Sequence, residues 1–139
     1  MYRITKSISF CYGHRLLNYP GKCSHLHGHN AKAVITLKGE ILNEMGMLFD
    51  FNEIKASVKS WIDEEVDHTM LLYKKDPIIP LLEQAGERFF ITDENPTAEH
   101  IAKIIFDRVR AAGYPVIEVE IAETDSCCAS YSQSANTAE

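Results

Sequence analysis

The chain has 139 residues, of which 45% are hydrophobic and 24% are charged, and its formal net charge is -6. This size and composition are typical of one globular domain with its own hydrophobic core. The negative charge argues against a general binder of nucleic acid or anionic membranes, since both need a basic face. Met1 leads directly into an alternating segment, without the features of a signal peptide or a long apolar run. We therefore expect a cytoplasmic protein whose cysteines are reduced thiols.

The first two elements are predicted to be strands. Mostly apolar residues at even positions from Tyr2 to Tyr12 alternate with mostly polar residues at odd positions, which is the pattern of a half-buried strand. Residues 13 to 29 form a loop rich in Gly, Pro and His, and such loops often carry function. A second strand over 31–38 returns beside the first, most simply antiparallel, and ends at Gly39.

Two amphipathic helices follow. Asp50 and Glu53 form a capping box that predicts a helix over about 51 to 65. A second helix is predicted to begin near Asn95-Pro96-Thr97, with the proline at the first helical position, and to stop at Gly113.

The remaining segments are shorter. Residues 78–85 can form a short helix and residues 88–92 a short extended piece. The alternation over 116–122 predicts a third strand, and a last short strand is predicted over 128–131. The small, polar residues 132–139 are expected to form a flexible tail.

This order of elements predicts an α+β domain over residues 1–131, with a four-stranded antiparallel sheet and two helices on one face. A sheet of this kind has two open edges. Such edges are commonly closed by pairing with neighbouring subunits, so we expect the chain to assemble into a ring.

Histidines cluster near the end of the first strand. His27 and His29 are two residues apart, so their side chains leave an extended backbone on the same side, and His14 can converge with them at one end of the sheet. Three nitrogen ligands with an open fourth position are typical of a catalytic zinc site. The alternative is that these are polar loop histidines. His25 has the same parity and could also ligate, although we expect it not to, and Gly28 is expected to leave room for the metal or ligand.

The sequence resembles the 6-pyruvoyl-tetrahydropterin synthase and 6-carboxy-tetrahydropterin synthase family from the first strand to Tyr131. The motifs that carry the resemblance are Phe10-x-x-x-His14-Arg15-Leu16, Cys23-x-x-x-His27-Gly28-His29, Asp67-His68 and Glu123-Thr124. The resemblance implies the tunnelling fold (T-fold), in which trimers form a barrel and two trimers stack into a homohexamer. It also implies active sites at the subunit interfaces.

The resemblance implies a role for each motif. His14, His27 and His29 match the zinc ligands of the family, and Cys23 matches its catalytic base. A thiol acts as a base only when it is ionised, and positive charge from Lys22, zinc or a protonated histidine favours the thiolate.

The other matching residues lie further along the chain. Asp67 and His68 match the pair that completes the catalytic triad, Glu123 matches the carboxylate that anchors the pterin, and Thr97 falls where family members touch it. Consecutive side chains diverge, so Asp67 could orient His68 only through a turn or a neighbouring subunit. Outside the family context, Asp67-His68 would be a solvated helix end, and Glu123 could equally be a pterin anchor or a solvated carboxylate at a strand end.

Three residues separate the cysteine from the His-Gly-His element, as in the bacterial carboxy branch of the family. This implies a lyase that converts 7,8-dihydroneopterin triphosphate to 6-carboxy-5,6,7,8-tetrahydropterin, acetaldehyde and triphosphate on the route to queuosine. The alternatives are 6-pyruvoyl-tetrahydropterin synthesis from the same substrate, and a non-catalytic zinc-binding module.

Two questions stay open in the sequence. An acidic chain that binds a triphosphate needs local cations, and Arg15, Lys22 and Lys38 are the candidates. Cys127 and Cys128 are predicted to be small buried thiols, rather than a second metal site or a redox pair.

Overall fold

The computed structural model describes residues 1–134 and shows one mixed sheet of six strands with helices packed on one face. The strands are ordered β4-β3-β1-β2-β5-β6 across the sheet. The elements are, in chain order, β1 (Tyr2–His14), a 3₁₀ turn (Lys22–Ser24), β2 (His27–Gly39), α1 (Phe51–Ile54), a π-helical turn (Lys55–Lys59), α2 (Ser60–Glu65), β3 (Thr69–Tyr73), α3 (Ile79–Ala85), β4 (Phe89–Thr92), α4 (Ala98–Ala111), β5 (Val116–Ala122) and β6 (Cys128–Ser132).

The predicted α+β class is confirmed, but the prediction of four antiparallel strands is wrong. β3 was not predicted, and it pairs parallel with β1 on one side and with β4 on the other. Its sequence, Thr-Met-Leu-Leu-Tyr, is a short apolar run without alternation, and periodicity alone cannot assign such a run. The pairs β1–β2, β2–β5 and β5–β6 are antiparallel.

The longest pairing in the sheet joins β1 to β2. Its register runs from Tyr2 opposite Gly39 to His14 opposite His27. The last residue of β1 therefore faces the first residue of β2, at the end of the sheet where the 13–29 loop was predicted. This pairing brings the histidines of the two strands together.

The hydrophobic core lies between the sheet and the helices. Ile35 and Ile121 from the sheet pack with Ile62 from α2 and Ile105 from α4, and all four are fully buried. Each such side chain contributes about 1.5–3 kcal/mol through its burial. Within residues 1–134, none of the helices combines the length and apolar character needed to cross a membrane.

Both long helical segments begin at the predicted caps, with one difference. The Asp50 carboxylate accepts from the Asn52 N–H at 2.8 Å, and helical structure runs from Phe51 to Glu65 through the π-helical turn. In α4 the cap is Thr97, whose Oγ1 accepts from the His100 N–H at 3.2 Å. Pro96 therefore precedes the cap instead of occupying the first helical position, which leaves its carbonyl free to face His14.

The loop after β1 is fastened to the rest of the fold at two points. Asn95 accepts from the Leu17 N–H at 2.9 Å and donates to the Leu17 carbonyl at 3.0 Å. The guanidinium of Arg15 donates to the buried carboxylate of Asp76, with an Nε–Oδ2 distance of 2.8 Å. This hydrogen bond with Arg15 is the main reason that the pKa of Asp76 lies below its usual range.

The C-terminal end of the described chain continues past the last predicted strand. Ser132 belongs to β6, and the Gln133 N–H donates to the Ile117 carbonyl at 3.1 Å. Residues 135–139 lie outside the described residues, so the flexible tail stays a prediction.

We expect Asp76→Asn to lower the free energy of unfolding at pH 7 by about 2 kcal/mol, because Arg15 loses its charged partner. Since the pKa of Asp76 is lower in the folded than in the unfolded state, this stabilisation is complete above the unfolded value of about 3.9. It is lost as the pH falls through the folded value. Urea unfolding should therefore show a lower free energy of unfolding for Asp76→Asn than for the wild type at pH 7. This difference should decrease at acid pH. Asp107→Asn, at an exposed pair with Lys103, is the control, and equal stabilities at pH 7 would contradict the assignment.

Candidate metal centre and active site

Three imidazoles meet at the end of the β1–β2 pairing. The ring centroids of His14 and His27 are 4.5 Å apart, and each lies 5.1 Å from the His29 ring. One nitrogen from each ring lies within 4.8 Å of the others, so a single ion could contact all three. His14 is almost fully buried, while His27 and His29 are half-buried and face a cavity.

Hydrogen bonds on the outer side of the cluster fix which nitrogens face inward. The Nδ1–H of His14 donates to the Pro96 carbonyl at 2.6 Å, and that of His27 donates to the His25 carbonyl at 2.7 Å. Their Nε2 lone pairs are therefore directed into the cluster, as in zinc sites where an outer carbonyl orients the ligand. Burial lowers the pKa of His14, which favours the neutral form that binds a metal.

The inner nitrogens fit a cation. Nε2 of His27 is buried and has no hydrogen-bond partner within residues 1–134. Nε2 of His14 lies 3.2 Å from Nε2 of His29, a close approach of two atoms that both suit a shared positive ion. A buried acceptor without a hydrogen-bond partner is costly, and a metal ion bound by the three nitrogens would satisfy it.

The structure defines the roles of two neighbours of these histidines. The His25 side chain is exposed and lies outside the three-histidine group, and its carbonyl orients His27. Gly28 pairs with Gly13, and a Cβ at Gly28 would come within 3.1 Å of the Tyr12 carbonyl. Gly28 therefore permits close approach of the two strands.

A cavity of about 370 Å³, the histidine cavity, opens beside the cluster. Its lining includes the three histidines, Cys23, Thr97 and Glu123. Cys23 lies exposed in the 3₁₀ turn, where its carbonyl accepts from the Leu16 N–H at 2.8 Å. Thr97 uses its oxygen as the acceptor of the α4 cap, and its O–H proton remains available to a ligand.

Cys127 and Cys128 also line the histidine cavity, and both are exposed in the isolated chain. The prediction that they are buried is therefore wrong. Cys127 lies at the surface in the turn before β6. Cys128 is the first residue of β6, an edge strand in which exposed and half-buried residues alternate, and it is one of the exposed residues.

Glu123 lies between the histidines and a tyrosine that the sequence did not single out. The Tyr12 hydroxyl donates to Oε1 of Glu123 at 2.6 Å. The two carboxylate oxygens are each 3.9 Å from a ring nitrogen, Oε1 from His14 and Oε2 from His29. Burial and then this hydrogen bond raise the pKa of Tyr12 well above its usual value. Tyr12 shares the parity of His14 on β1, which is the signal that could have identified it.

Asp67 and His68 are in contact although they are consecutive. His68 has φ 55°, and this left-handed turn brings its Nδ1 to 2.8 Å from Oδ2 of Asp67. The other carboxylate oxygen of Asp67 accepts from the Cys11 N–H at 2.9 Å. The hydrogen bonds from Cys11 and His68 outweigh the effect of burial and lower the pKa of Asp67.

Within one chain, this pair is not brought to Cys23. His68 lines a second cavity of about 640 Å³, whose lining also includes Cys11, Gly28, Met70 and Arg88. Cys11 and His14 differ in parity along β1, so their side chains leave opposite faces of the strand, although His27 and His29 line both cavities. The triad of Cys23, Asp67 and His68 that the resemblance implies is therefore not assembled around either cavity, and it stays a prediction.

The three side chains predicted as candidate cations for a triphosphate lie at different places in the fold. Arg15 is engaged by Asp76, and Lys38 lies opposite Arg3 at the far end of β2 from His27, more than about 30 Å along the strand. Lys22 is exposed and precedes Cys23, which lines the histidine cavity. Of the three, it is the best placed to meet an anionic substrate.

The family model for 6-pyruvoyl tetrahydropterin synthase matches residues 3–134. The chain belongs to this family. The expected family and the expectation of an enzyme are thereby confirmed. A relative from Rickettsia bellii named 6-carboxy-5,6,7,8-tetrahydropterin synthase is 34% identical over 134 residues, covering 91% of this chain and 97% of its own length.

Solved structures share the fold. An uncharacterized protein from Wolinella succinogenes has a TM-score of 0.78 and 26% identity, covering 96% of this chain and 98% of its own. The 6-pyruvoyl tetrahydropterin synthase of Caenorhabditis elegans has a TM-score of 0.72 and 24% identity, with 96% of both chains covered. The predicted tunnelling fold is confirmed by these likenesses.

Tyrosinate absorbance measures the ionisation of the protein's tyrosines as the pH is raised. We expect Tyr12→Phe to remove from this titration one ionisation step at high pH, the late step. In the wild type the Tyr12 hydroxyl stays protonated above its ordinary pKa of about 10 and ionises only when the fold opens. The variant should lack this step, whereas Tyr19→Phe, at an exposed position, should retain it. A late step of unchanged size in Tyr12→Phe would refute the contact with Glu123.

Proposed function

We propose that the protein is a zinc-dependent lyase that converts 7,8-dihydroneopterin triphosphate and one water to 6-carboxy-5,6,7,8-tetrahydropterin, acetaldehyde and triphosphate on the route to queuosine. Family membership and the names of the curated relatives support this reaction. The proposal is carried by the inward-facing Nε2 of His27, which has no hydrogen-bond partner among residues 1–134. It belongs to a group of three imidazoles beside Cys23 and Glu123.

Each residue of the histidine cavity has a proposed role. His14, His27 and His29 would hold Zn²⁺, which supplies a Lewis acid that makes the hydroxyls and adjacent C–H of a bound side chain more acidic. Cys23 takes and returns the carbon-bound proton, and its exposed turn lets it reach the substrate. Glu123 accepts two hydrogen bonds from the amino-pyrimidinone edge of the pterin, with Tyr12 fixing one of its oxygens. Thr97 contributes to the same pterin pocket.

Asp67 and His68 are proposed to relay protons to and from the substrate hydroxyl. The Asp67 carboxylate is fixed by the Cys11 N–H and accepts from Nδ1–H of His68, so Nε2 of His68 is presented to a reacting group. Because His68 and Cys23 line different cavities of the chain, we propose that His68 of one subunit serves the histidine cavity of a neighbour. The open edges at β4 and β6 are consistent with a homohexamer built as a dimer of trimers.

Two further proposals follow from the same assignment. Residues 1–131 form the single catalytic domain. The compartment is the cytoplasm, where the four free thiols of the chain stay reduced.

Incubation of the protein with 7,8-dihydroneopterin triphosphate should release acetaldehyde and triphosphate and leave a carboxy pterin, as followed by mass analysis of all products. A chelator that removes zinc should stop the reaction, and added zinc should restore it. A product that retains the three-carbon side chain would instead support 6-pyruvoyl-tetrahydropterin synthesis.

Cys23→Ala should reduce kcat by roughly 10²–10⁴-fold, because it removes the proposed general base. Ser24→Ala, at the next residue of the same 3₁₀ turn, is the matched control and should keep normal activity. If Cys23→Ala were as active as the wild type, the chemistry would need another base.

His27→Ala should bind at least about 10-fold less tightly to zinc than the wild type, since one of three nitrogen ligands is lost. His25→Ala should retain zinc because only the His25 backbone carbonyl takes part in the cluster. Equilibrium dialysis against a zinc indicator measures both affinities. Equal losses in the two variants, or none in either, would rule out the three-histidine centre.

A further inference from the structure

The loop that carries Cys23 has little packing of its own. Every residue from Asn18 to Cys23 is exposed, and Asn18 has a left-handed backbone with φ 62°. Exposed side chains gain little free energy from burial, so the position of this loop depends on its hydrogen bonds. The bond from the Ser24 N–H to the Gly21 carbonyl, at 3.1 Å, shapes the 3₁₀ turn but does not attach it to the rest of the fold.

Asn95 supplies that attachment from a distant part of the sequence. Its side-chain oxygen accepts from the Leu17 N–H at 2.9 Å, and its side-chain N–H donates to the Leu17 carbonyl at 3.0 Å. The preceding residue, Leu16, donates its N–H to the Cys23 carbonyl at 2.8 Å. The Asn95 side chain is therefore connected to the backbone of Cys23 through two neighbouring residues.

The segment that begins at Asn95 also shapes another part of the histidine cavity. Pro96 is buried, and its carbonyl accepts from Nδ1–H of His14 at 2.6 Å. Thr97 lines the cavity, and its N–H donates to the Asn95 carbonyl at 2.8 Å, which fixes the backbone of Asn95 itself. Asn95 thus joins the loop of Cys23 to the residues that orient a proposed metal ligand and line the proposed pterin pocket.

We propose that Asn95 is a positioning residue for Cys23: through Leu17 it holds the Cys23 loop in one place relative to the three imidazoles. The inference rests on the proposed role of Cys23 as the base. A general base must lie within hydrogen-bond reach of the proton that it takes, and a displacement of about 1 Å can lower the rate by roughly 10²-fold. Asn95 does not itself line the histidine cavity, so it acts through the loop.

Hydrogen exchange followed by mass spectrometry tests the attachment without reference to catalysis. Asn95→Ala should speed amide exchange over residues 16–23 by at least about 10-fold, because two hydrogen bonds are lost. Exchange in α4 should stay as in the wild type. Asn43→Ala is the matched control, since Asn43 accepts from the N–H groups of Met45 and Met47 in the loop after β2. Unchanged exchange over residues 16–23 in Asn95→Ala would overturn the proposal.

A double-mutant cycle tests whether Asn95 acts through Cys23. In the wild-type background, Asn95→Ala should lower kcat by about 10²-fold and leave the zinc affinity unchanged. In Cys23→Ala, which has no thiol to misplace, the same change should lower kcat by less than about 2-fold. A general structural role would lower kcat equally in the two backgrounds, and that result would contradict the proposal.

Asn95→Asp gives a second test. It keeps the shape of the side chain and the acceptor for the Leu17 N–H, and it regains the donor only when its carboxyl is protonated. Its kcat, divided by that of the wild type at each pH, should therefore rise as the pH is lowered. A ratio that does not change with pH would refute the proposal, also in the event that Asn95→Ala does not fold.

The measurements separate this inference from the proposed function. If 7,8-dihydroneopterin triphosphate is not the substrate, the proposed function fails. The exchange measurement still decides whether Asn95 holds the loop of Cys23.

Discussion

The antiparallel register between β1 and β2 positions almost everything at the site. His14 lies opposite His27, Gly13 opposite Gly28, and Tyr12 opposite His29. Side chains alternate along a strand. A shift of the pairing register by one residue would therefore turn the side chains of one strand to the opposite face of the sheet and separate the imidazoles. The glycine pair lets the two strands approach at this point, and the hydrophobic alternation of both strands fixes the register over their whole length.

The same strand pair serves two faces with different chemistry. Even positions of β1 carry Tyr12 and His14, which meet Glu123 from the end of β5 and the Pro96 carbonyl before α4. Odd position Cys11 meets the turn before β3. On each face, the residues that contact β1 therefore come from a distant part of the sequence. Cys23 and His68 line different cavities of the chain, which is why assembly is part of the proposed mechanism.

Local patterns predicted much of this arrangement. Alternation located β1, β2 and β5, caps located both long helical segments, and equal parity grouped His27 with His29. Features set by tertiary contacts were not predictable. The contact between Tyr12 and Glu123 joins residues 111 positions apart, and the pairing of Asp67 with His68 depends on a left-handed backbone at a non-glycine residue. β3 was missed because it is short and its apolar residues do not alternate.

The central claim is that three imidazoles from two paired strands bind one ion. X-ray absorption at the zinc edge, on protein loaded with one equivalent of zinc, tests it most directly. The account predicts a first shell of nitrogen and oxygen at about 2.0–2.1 Å, with the outer scattering of three imidazole rings. A sulfur neighbour at about 2.3 Å at this loading, or fewer than three imidazoles, would contradict it.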